Sequence, residues 1–203
     1  MMNPFSNSTN HFLEKTINSL SFCLDGRNDV FVTTSFGYQS SLLFHILREF
    51  DISIKCFSII SPLSYGGIDE QKDYILNKYD IDLTEEDRTA WLNEQLEGRD
   101  FMMLEEEERR SICREMKRKP LIDFIKKNKF EIWISGIRRD QNENRKDIKF
   151  IEATDLDVLK ISPLFSWTIS DVREIMKASN LRTNDDYVDL CKLNSKMECG
   201  LHI

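Results

Sequence analysis

The chain has 203 residues, of which 40% are hydrophobic and 31% are charged, which is typical of a globular domain long enough to bury a core. The formal net charge is −7, so we expect no general affinity for nucleic acid or for an anionic membrane. No apolar run approaches the ~20 residues of a membrane span, and the N-terminal residues lack the pattern of a signal peptide. An anionic ligand must therefore be held by a local cluster of basic side chains.

The five cysteines are Cys23, Cys56, Cys113, Cys191 and Cys199. Their odd number and the lack of a C-x-x-C spacing argue against a disulfide framework and against a zinc ribbon. These features predict a reduced, cytoplasmic protein.

Apolar periodicity predicts alternating strands and helices. Continuous apolar strands of this kind are typical of a parallel sheet covered on both faces, which binds ligands at the carboxyl ends of its strands. Pro120 is expected to begin a new helix after a break at Lys119. The predicted strands are 29–35, 54–60, a short segment at 79–83, 130–136 and, as the last, 158–164. The predicted helices are 8–24, a segment beginning near Gln39, 67–79, most of 84–128, and 168–179 with Thr168 or Ser170 as its N-cap.

The first strand is followed by hydroxyl residues and one glycine before the next helix begins. Gly37 permits a tight turn and a close backbone approach, and the N-terminus of the helix offers free N–H groups to an anion. Ser35, Ser40 and Ser41 supply the hydroxyl groups. The alternative is an ordinary strand-to-helix turn that is capped by a serine.

The segment 135–145, "SGIRRDQNENR", follows a predicted strand. Arg138, Arg139 and Arg145 lie within eight positions of one another, with Gln141 between them. Guanidinium groups bind phosphate and sulfate in a bidentate manner and stay charged. In a chain of negative net charge, this cluster indicates a polyanionic ligand; the alternative is a solvated loop neutralised by nearby carboxylates.

The C-terminal segment "KMECGLHI" contains a thiol, Cys199, with His202 three residues further on. A thiolate is a strong nucleophile, and a nearby cation lowers its pKa. The alternative is a free cysteine without a chemical role.

Four segments together resemble one family, the sulfonucleotide reductases, which comprise 3′-phosphoadenylyl sulfate (PAPS) reductase and adenylyl sulfate (APS) reductase. The segments are "TSFGYQ", "GIRRDQNENR", "KISPLFSW" and "KMECGLH", and they occur in the order typical of the family. The resemblance implies a three-layer α/β sandwich with a mainly parallel sheet, similar to the adenine nucleotide alpha hydrolases. It also implies a single nucleotide-binding domain at 1–190 and a mobile catalytic tail at 191–203.

The resemblance implies that Cys199 attacks the sulfonate sulfur of PAPS. Adenosine 3′,5′-bisphosphate then leaves, and thioredoxin or glutaredoxin releases sulfite from the S-sulfocysteine. The implied catalytic residues are Cys199 and His202. The implied substrate-binding residues are Ser35, Phe36, Gly37, Ser40, Ser41, Arg138, Arg139, Gln141, Arg145 and Lys160. A homodimer is compatible with the sequence.

APS reductases of this family usually hold a [4Fe–4S] cluster on a Cys-Cys pair and a distant C-x-x-C pair. Cys113 and Cys191 lie near those two places, each without a second cysteine beside it. Two thiolates cannot supply the four ligands of a conventional cluster. We therefore expect no iron–sulfur cluster, no other metal and PAPS as the substrate, with Cys113 and Cys191 as structural residues of the core.

Two departures from the family pattern keep other functions open. Ser61, Pro62 and Leu63 stand where the family usually has Asp-Thr-Gly, and the stretch ahead of the tail is short. One alternative is an ATP pyrophosphatase that transfers sulfur, although "TSFGYQS" lacks the second glycine and the aspartate of the S-G-G-x-D-S loop. The other alternative is a degenerate nucleotide-binding protein of the same fold.

Overall fold

The computed structural model describes residues 7–50 and 54–192 of the chain. Within this part of the chain, no helix is both long enough and apolar enough to cross a bilayer. The helices are α1 (Asn7–Leu24), α2 (Ser40–Leu47), α3 (Ile68–Lys78), α4 (Thr89–Leu96), α5 (Glu106–Asn128) and α6 (Ile169–Ala178). The strands are β1 (Val30–Thr33), β2 (Ile54–Ile60), β3 (Ser64–Tyr65), β4 (Ile81–Asp87), β5 (Ile132–Ser135), β6 (Ile151–Ala153), β7 (Leu159–Ile161) and β8 (Val188–Asp189).

Six of the strands form one sheet in the order β4-β2-β1-β5-β7-β6. All neighbouring pairs are parallel except β6 with β7, which is antiparallel. Helices cover both faces, so the three-layer α/β fold predicted from the sequence is confirmed. The short strands β3 and β8 pair separately and antiparallel, away from the main sheet.

The central strands bury both of their faces, and alternate residues enter different cores. Val30 and Val32 pack with α1, α2 and α6 on one side of the sheet. Phe31 and Trp133 pack with the second half of α5 on the other side. A third apolar cluster lies between α4, the first half of α5 and the segment that follows β8. This third cluster fixes one wall of the cavity described below.

Three expectations about the elements are corrected. Pro120 lies inside α5 and begins no new helix. An internal proline removes one backbone hydrogen bond, and the buried residues Met116, Leu121 and Ile125 on either side of it stabilise the continuous helix by packing. Neither β3 nor β6 was predicted from the sequence, and β8 follows the strand that was expected to be the last.

The start of α6 is confirmed at Thr168. Its hydroxyl oxygen accepts a hydrogen bond from the Asp171 N–H at 3.2 Å, while the Asp171 carboxylate accepts one from the Thr168 N–H at 2.7 Å. This reciprocal pair is a capping box, which satisfies two donors that the first helical turn leaves open.

Candidate functional site

A cavity of about 360 Å³ opens at the carboxyl ends of β1, β2 and β5. This is the edge at which parallel α/β sheets bind their ligands. Leu43, Phe57, Ile59 and Ile137 give it apolar surface, and most of the other lining residues carry hydroxyl, amide or charged groups. The polar lining residues are Thr33, Thr34, Ser35, Tyr38, Gln39, Ser40, Ser61, Ser64, Lys117, Ser135, Gln141, Asn142, Arg145, Tyr187, Asp189 and Lys192.

The loop between β1 and α2 brings Ser35, Gly37 and Ser40 to the cavity. Phe36 anchors this loop, because its ring is buried in the core. Its backbone has a φ of 50°. This left-handed conformation costs a residue other than glycine roughly 1–2 kcal/mol. The Thr34 hydroxyl fixes the turn, accepting from the Phe36 N–H at 3.0 Å and donating to Ser40 Oγ at 3.0 Å.

Two predicted residues of this loop do not line the cavity. Phe36 points into the core, and Ser41 is fully buried and accepts a hydrogen bond from Gln71 Nε2 at 2.7 Å. Both residues support the loop from its buried side.

Arg145 and Gln141 line the cavity side by side. Arg145 is 6% exposed, and its guanidinium donates a hydrogen bond to Gln141 Oε1. The same oxygen accepts the backbone N–H of Arg138 at 3.0 Å. Two short 3₁₀ helices, Arg139–Gln141 and Glu143–Arg145, bring the two side chains together.

Arg138 is not among the residues that line the cavity. It is 4% exposed, and its Nε donates to Asp140 Oδ1 at 2.8 Å while its Nη1 donates to Gln39 Oε1. Gln39 in turn donates to the Gly136 carbonyl. Arg138 therefore ties the loop after β5 to the start of α2, and so positions the two loops that line the cavity.

Arg139 and Lys160 also lie away from the cavity lining. The Arg139 guanidinium lies over the Phe165 ring at 4.6 Å, and its Nε donates to the Ile148 carbonyl at 2.7 Å. Lys160 is buried on β7, where it pairs with Glu152 at 3.4 Å and lies over the Trp133 ring at 5.7 Å. These contacts hold the fold together and leave both side chains outside the cavity.

The cavity is also lined by a cationic group that was not predicted from the sequence. We call Lys117, Asp189 and Lys192 the basic wall. Asp189 Oδ2 lies 3.0 Å from Lys117 Nζ and 2.9 Å from Lys192 Nζ. All three residues line the cavity, with Lys117 on α5 and the other two at and after β8.

The charge state of Asp189 follows from its two lysines. Burial alone would raise the pKa of this carboxyl group, but the charges and hydrogen bonds of Lys117 and Lys192 hold its pKa well below the usual range. The carboxylate therefore stays ionised at neutral pH and keeps both ammonium groups in place beside the cavity.

Tyr187 connects the basic wall to the loop after β1. A Cβ atom at Gly37 would lie 3.2 Å from Tyr187 Cδ1, so a larger residue there would push against the ring. The Tyr187 hydroxyl lies 3.4 Å from Asp189 Oδ2, and its ring lies 5.5 Å from Lys192 Nζ. Gly37 therefore provides the close backbone approach that the sequence predicted, although the partner is a side chain of the protein.

Little in the sequence could have revealed the basic wall. Lys117 stands in the run "KRK" of a heavily charged segment, which has the composition of a solvated helix face. Its partner Asp189 lies 72 positions away. No local sequence pattern predicts an ion pair between residues so far apart in the sequence.

The expectation of no disulfide is wrong for Cys113 and Cys191, whereas the expectation that both are structural residues of the core is confirmed. The two residues form a disulfide, with 5.9 Å between their Cα atoms and 78 positions between them in the sequence. Both are fully buried in the third apolar cluster. Counting cysteines and comparing their local spacing could not predict the pair, because neither shows that α5 and the segment after β8 meet. Among the described residues, Cys23 and Cys56 are free.

The described residues do not fit an iron–sulfur cluster. Cys113 and Cys191 are bonded to each other, so their sulfur atoms are not thiolate ligands. Within residues 7–50 and 54–192, no group of three or more His, Cys, Asp or Glu side chains could hold a metal ion. Cys199 and His202, the predicted catalytic residues, lie outside the described residues.

The chain is a three-layer α/β protein with a mainly parallel sheet and a polar, partly cationic cavity at the carboxyl ends of its strands. The profile described as "phosphoadenosine phosphosulfate reductase domain" matches residues 29–189. The chain therefore belongs to the phosphoadenosine phosphosulfate reductase domain family.

Curated relatives and solved structures are consistent with this membership. An adenosine 5′-phosphosulfate reductase of Salinibacter ruber is 28% identical over 158 residues, which cover 77% of this chain and 62% of the relative. A relative of the same name from Bacillus cereus is 28% identical over 147 residues, covering 71% of this chain and 62% of the relative. The chain thus spans about three-fifths of the length of these curated relatives.

Two solved structures share the fold at low sequence identity. A phosphoadenylyl-sulfate reductase from Candida auris, in a phosphate complex, has a TM-score of 0.68 at 14% identity and covers 89% of this chain and 90% of its own. A U34-tRNA thiolase from Methanococcus maripaludis has a TM-score of 0.64 at 16% identity, covering 92% of this chain and 70% of its own. At these identities the likeness shows the fold alone.

Proposed function

We propose that the protein is a sulfonucleotide reductase that binds PAPS in this cavity and carries out the reaction with Cys199. One observation carries the proposal. Hydroxyl groups from the loop after β1, Gln141 and Arg145 from the loop after β5, and the basic wall line a single cavity. Membership of the family supports the choice of substrate class.

The charge of the cavity suits a polyanion. Its lining contains three cations, Lys117, Arg145 and Lys192, and one carboxylate, Asp189, although the chain as a whole has a net charge of −7. Arg145 offers a fork of N–H donors that matches two phosphate oxygens, and the lysines add point charges. Neutralising the substrate in this way lets a thiolate approach a sulfonate group that would otherwise repel it.

The proposed reaction has two steps. The Cys199 thiolate attacks the sulfonate sulfur, the bond between that sulfur and the bridging phosphate oxygen breaks, and adenosine 3′,5′-bisphosphate leaves with the bonding electron pair. The product on the protein is an S-sulfocysteine. A thiolate of a reduced dithiol then attacks Cys199 Sγ, sulfite leaves with the electron pair, and the second thiol resolves the mixed disulfide.

The length of the tail allows this chemistry. Cys199 is seven residues beyond Lys192, and seven extended residues span up to roughly 24 Å. Lys192 itself lines the cavity. His202 is proposed to contribute a further cation beside the thiolate. The dithiol is proposed to be thioredoxin or glutaredoxin, which would place the reaction in a reducing compartment such as the cytoplasm.

The choice of PAPS over APS rests on the cysteines. In this family the APS enzymes usually carry an iron–sulfur cluster, and the described residues do not fit one. The curated relatives carry the name of APS reductase, so the two nucleotides have to be compared directly. At the position of the usual Asp-Thr-Gly segment, Ser61 lines the cavity and accepts the Leu63 N–H at 3.1 Å.

The test measures sulfite release from PAPS and, in parallel, from APS with reduced thioredoxin or glutaredoxin. We expect turnover with PAPS, complete loss of turnover in Cys199→Ser, and nearly unchanged affinity of that variant for adenosine 3′,5′-bisphosphate. Cys23→Ser is the matched control, because Cys23 is a free cysteine on α1 that does not line the cavity. Turnover by Cys199→Ser equal to that of Cys23→Ser would refute the mechanism, and turnover with APS alone would refute the substrate.

A further inference from the structure

The Cys113–Cys191 disulfide and the basic wall join the same two segments of the chain. Lys117 lies one helical turn after Cys113 on α5. Asp189 and Lys192 flank Cys191, and the Cys191 N–H donates to Asp189 Oδ1 at 3.0 Å. The covalent bond and the Lys117–Asp189 ion pair are therefore two ties between α5 and the segment 187–192, and the residues of the basic wall line the cavity.

Without the disulfide, segment 187–192 is held by the Lys117–Asp189 ion pair, by packing of Leu190 and Cys191 in the third apolar cluster, and by few backbone hydrogen bonds. The pairing of β8 with β3 comprises two residue pairs, Ser64 with Asp189 and Tyr65 with Val188. One more backbone hydrogen bond joins the Leu190 N–H to the Leu63 carbonyl at 2.8 Å. Elements paired through so few backbone hydrogen bonds open locally at a lower free energy than the central strands of a sheet. Loss of the covalent tie should therefore loosen this segment more than the six-stranded sheet.

A disulfide is unusual in the compartment that the proposed function requires. In reducing compartments disulfides are rare, and those that occur are usually transient or redox-sensing. The protein's proposed reductant is itself a dithiol. Dithiol–disulfide exchange transfers two electrons and two protons to Cys113 and Cys191, which become thiols, while the dithiol becomes a disulfide.

From this arrangement we infer that the Cys113–Cys191 pair is a redox switch that sets the affinity of the cavity for its nucleotide, an inference that rests on the proposed function. In the oxidised form the disulfide holds Asp189 and Lys192 against Lys117, and the basic wall is preorganised for an anion. In the reduced form segment 187–192 loosens, Asp189 and Lys192 lose their fixed positions beside Lys117, and binding weakens. After reduction, a bound ligand must also order segment 187–192, and the entropy lost in that ordering weakens binding.

The probe is adenosine 3′,5′-bisphosphate, and its Kd is measured by calorimetry on the full chain carrying Cys199→Ser, which prevents new disulfides at that thiol. Protein oxidised with diamide is compared with protein reduced by a phosphine or by thioredoxin. Thiol titration after each treatment shows whether the bond is closed or open. We expect the Kd to rise by about fivefold or more on reduction, at the lower end of usual couplings between two sites, and to return on reoxidation.

Two variants on the same background separate this pair from the other cysteines. Cys113→Ala/Cys191→Ala should have the weaker Kd and show no response to reductant, and if this variant fails to fold, the reduced parent protein gives the same comparison. Cys23→Ser should respond as the parent does. An equal Kd in the two redox forms would overturn the inference, and so would a bond that the folded protein never forms or never opens. Absence of binding in both forms would overturn the proposed function as well, so the two failures are distinguishable.

Discussion

Among the residues that line the cavity, Arg145 gives the most specific test of nucleotide binding when it is replaced by alanine. Arg145 is the arginine of the loop after β5 that lines the cavity, and it is 6% exposed. A hydrogen bond to a charged group contributes about 1.5–3 kcal/mol. Loss of this side chain should therefore weaken nucleotide binding about 10- to 150-fold, since each 1.4 kcal/mol is a factor of ten.

The assay is calorimetric titration of each variant with adenosine 3′,5′-bisphosphate. Arg139→Ala is the matched control, because it removes the same charge from the same loop at a side chain that packs on Phe165 outside the cavity. We expect its Kd to change less than about fivefold, because an exposed charge contributes at most about 1 kcal/mol. Arg145→Lys should fall between the two, since it keeps the charge and loses the bidentate fork.

A thermal melt of each variant guards against a general loss of folding, because Arg145 also donates to Gln141. Equal nucleotide affinities of folded Arg145→Ala and Arg139→Ala would show that an arginine inside the cavity contributes no more to binding than one outside it. Electrostatic binding of the nucleotide in this cavity would then be refuted.

Three further predictions concern stability. Asp189→Asn leaves Lys117 buried without its carboxylate and should lower the free energy of unfolding by about 3–5 kcal/mol at pH 7. The pKa of Asp189 is depressed in the folded state, so the difference in unfolding free energy between parent and variant should shrink as the pH falls below about 4, where the carboxyl group of the unfolded chain becomes protonated. A difference in unfolding free energy that is constant with pH would contradict this prediction. Reduction of Cys113–Cys191 should lower the free energy of unfolding by up to about 4.5 kcal/mol, the loop-entropy value for their 78-residue separation, as measured by urea unfolding with and without reductant. Gly66→Ala should cost at least about 1–2 kcal/mol, because Gly66 has a φ of +83° and the added Cβ would lie 1.9 Å from the Asp186 carbonyl oxygen; a melt at the parent's temperature would contradict this.

The sequence predicted the features that local pattern encodes. Apolar runs such as 54–60 and 130–136 correspond to β2 and β5, because a strand buried on both faces has no polar positions. The loops after β1 and β5 were predicted to bind the ligand because parallel α/β sheets bind ligands at the carboxyl ends of their strands. The strand order itself came from the structure.

Features that depend on distant pairs were missed or misread. The Lys117–Asp189 ion pair and the Cys113–Cys191 disulfide join segments 72 and 78 positions apart, which no window on the sequence spans. Pro120 was read as a helix breaker because its local cost is real, whereas packing of the surrounding helix outweighs that cost.

Three basic residues show why a motif does not fix the direction of a side chain. Arg138 and Arg145 belong to one motif, yet Arg145 lines the cavity while Arg138 joins Gln39 to Asp140 behind it. Lys160 belongs to another motif and turns toward Trp133 and Glu152. Their neighbours in space decide these directions.

The transfer of a sulfonate group to Cys199 is the central claim, and mass spectrometry of the protein after incubation with PAPS, without any thiol reductant, tests it most directly. We expect one added SO₃ group that peptide mapping assigns to Cys199 and that disappears, with release of sulfite, when reduced thioredoxin is added. An unmodified Cys199 in protein that demonstrably binds the nucleotide would contradict the claim.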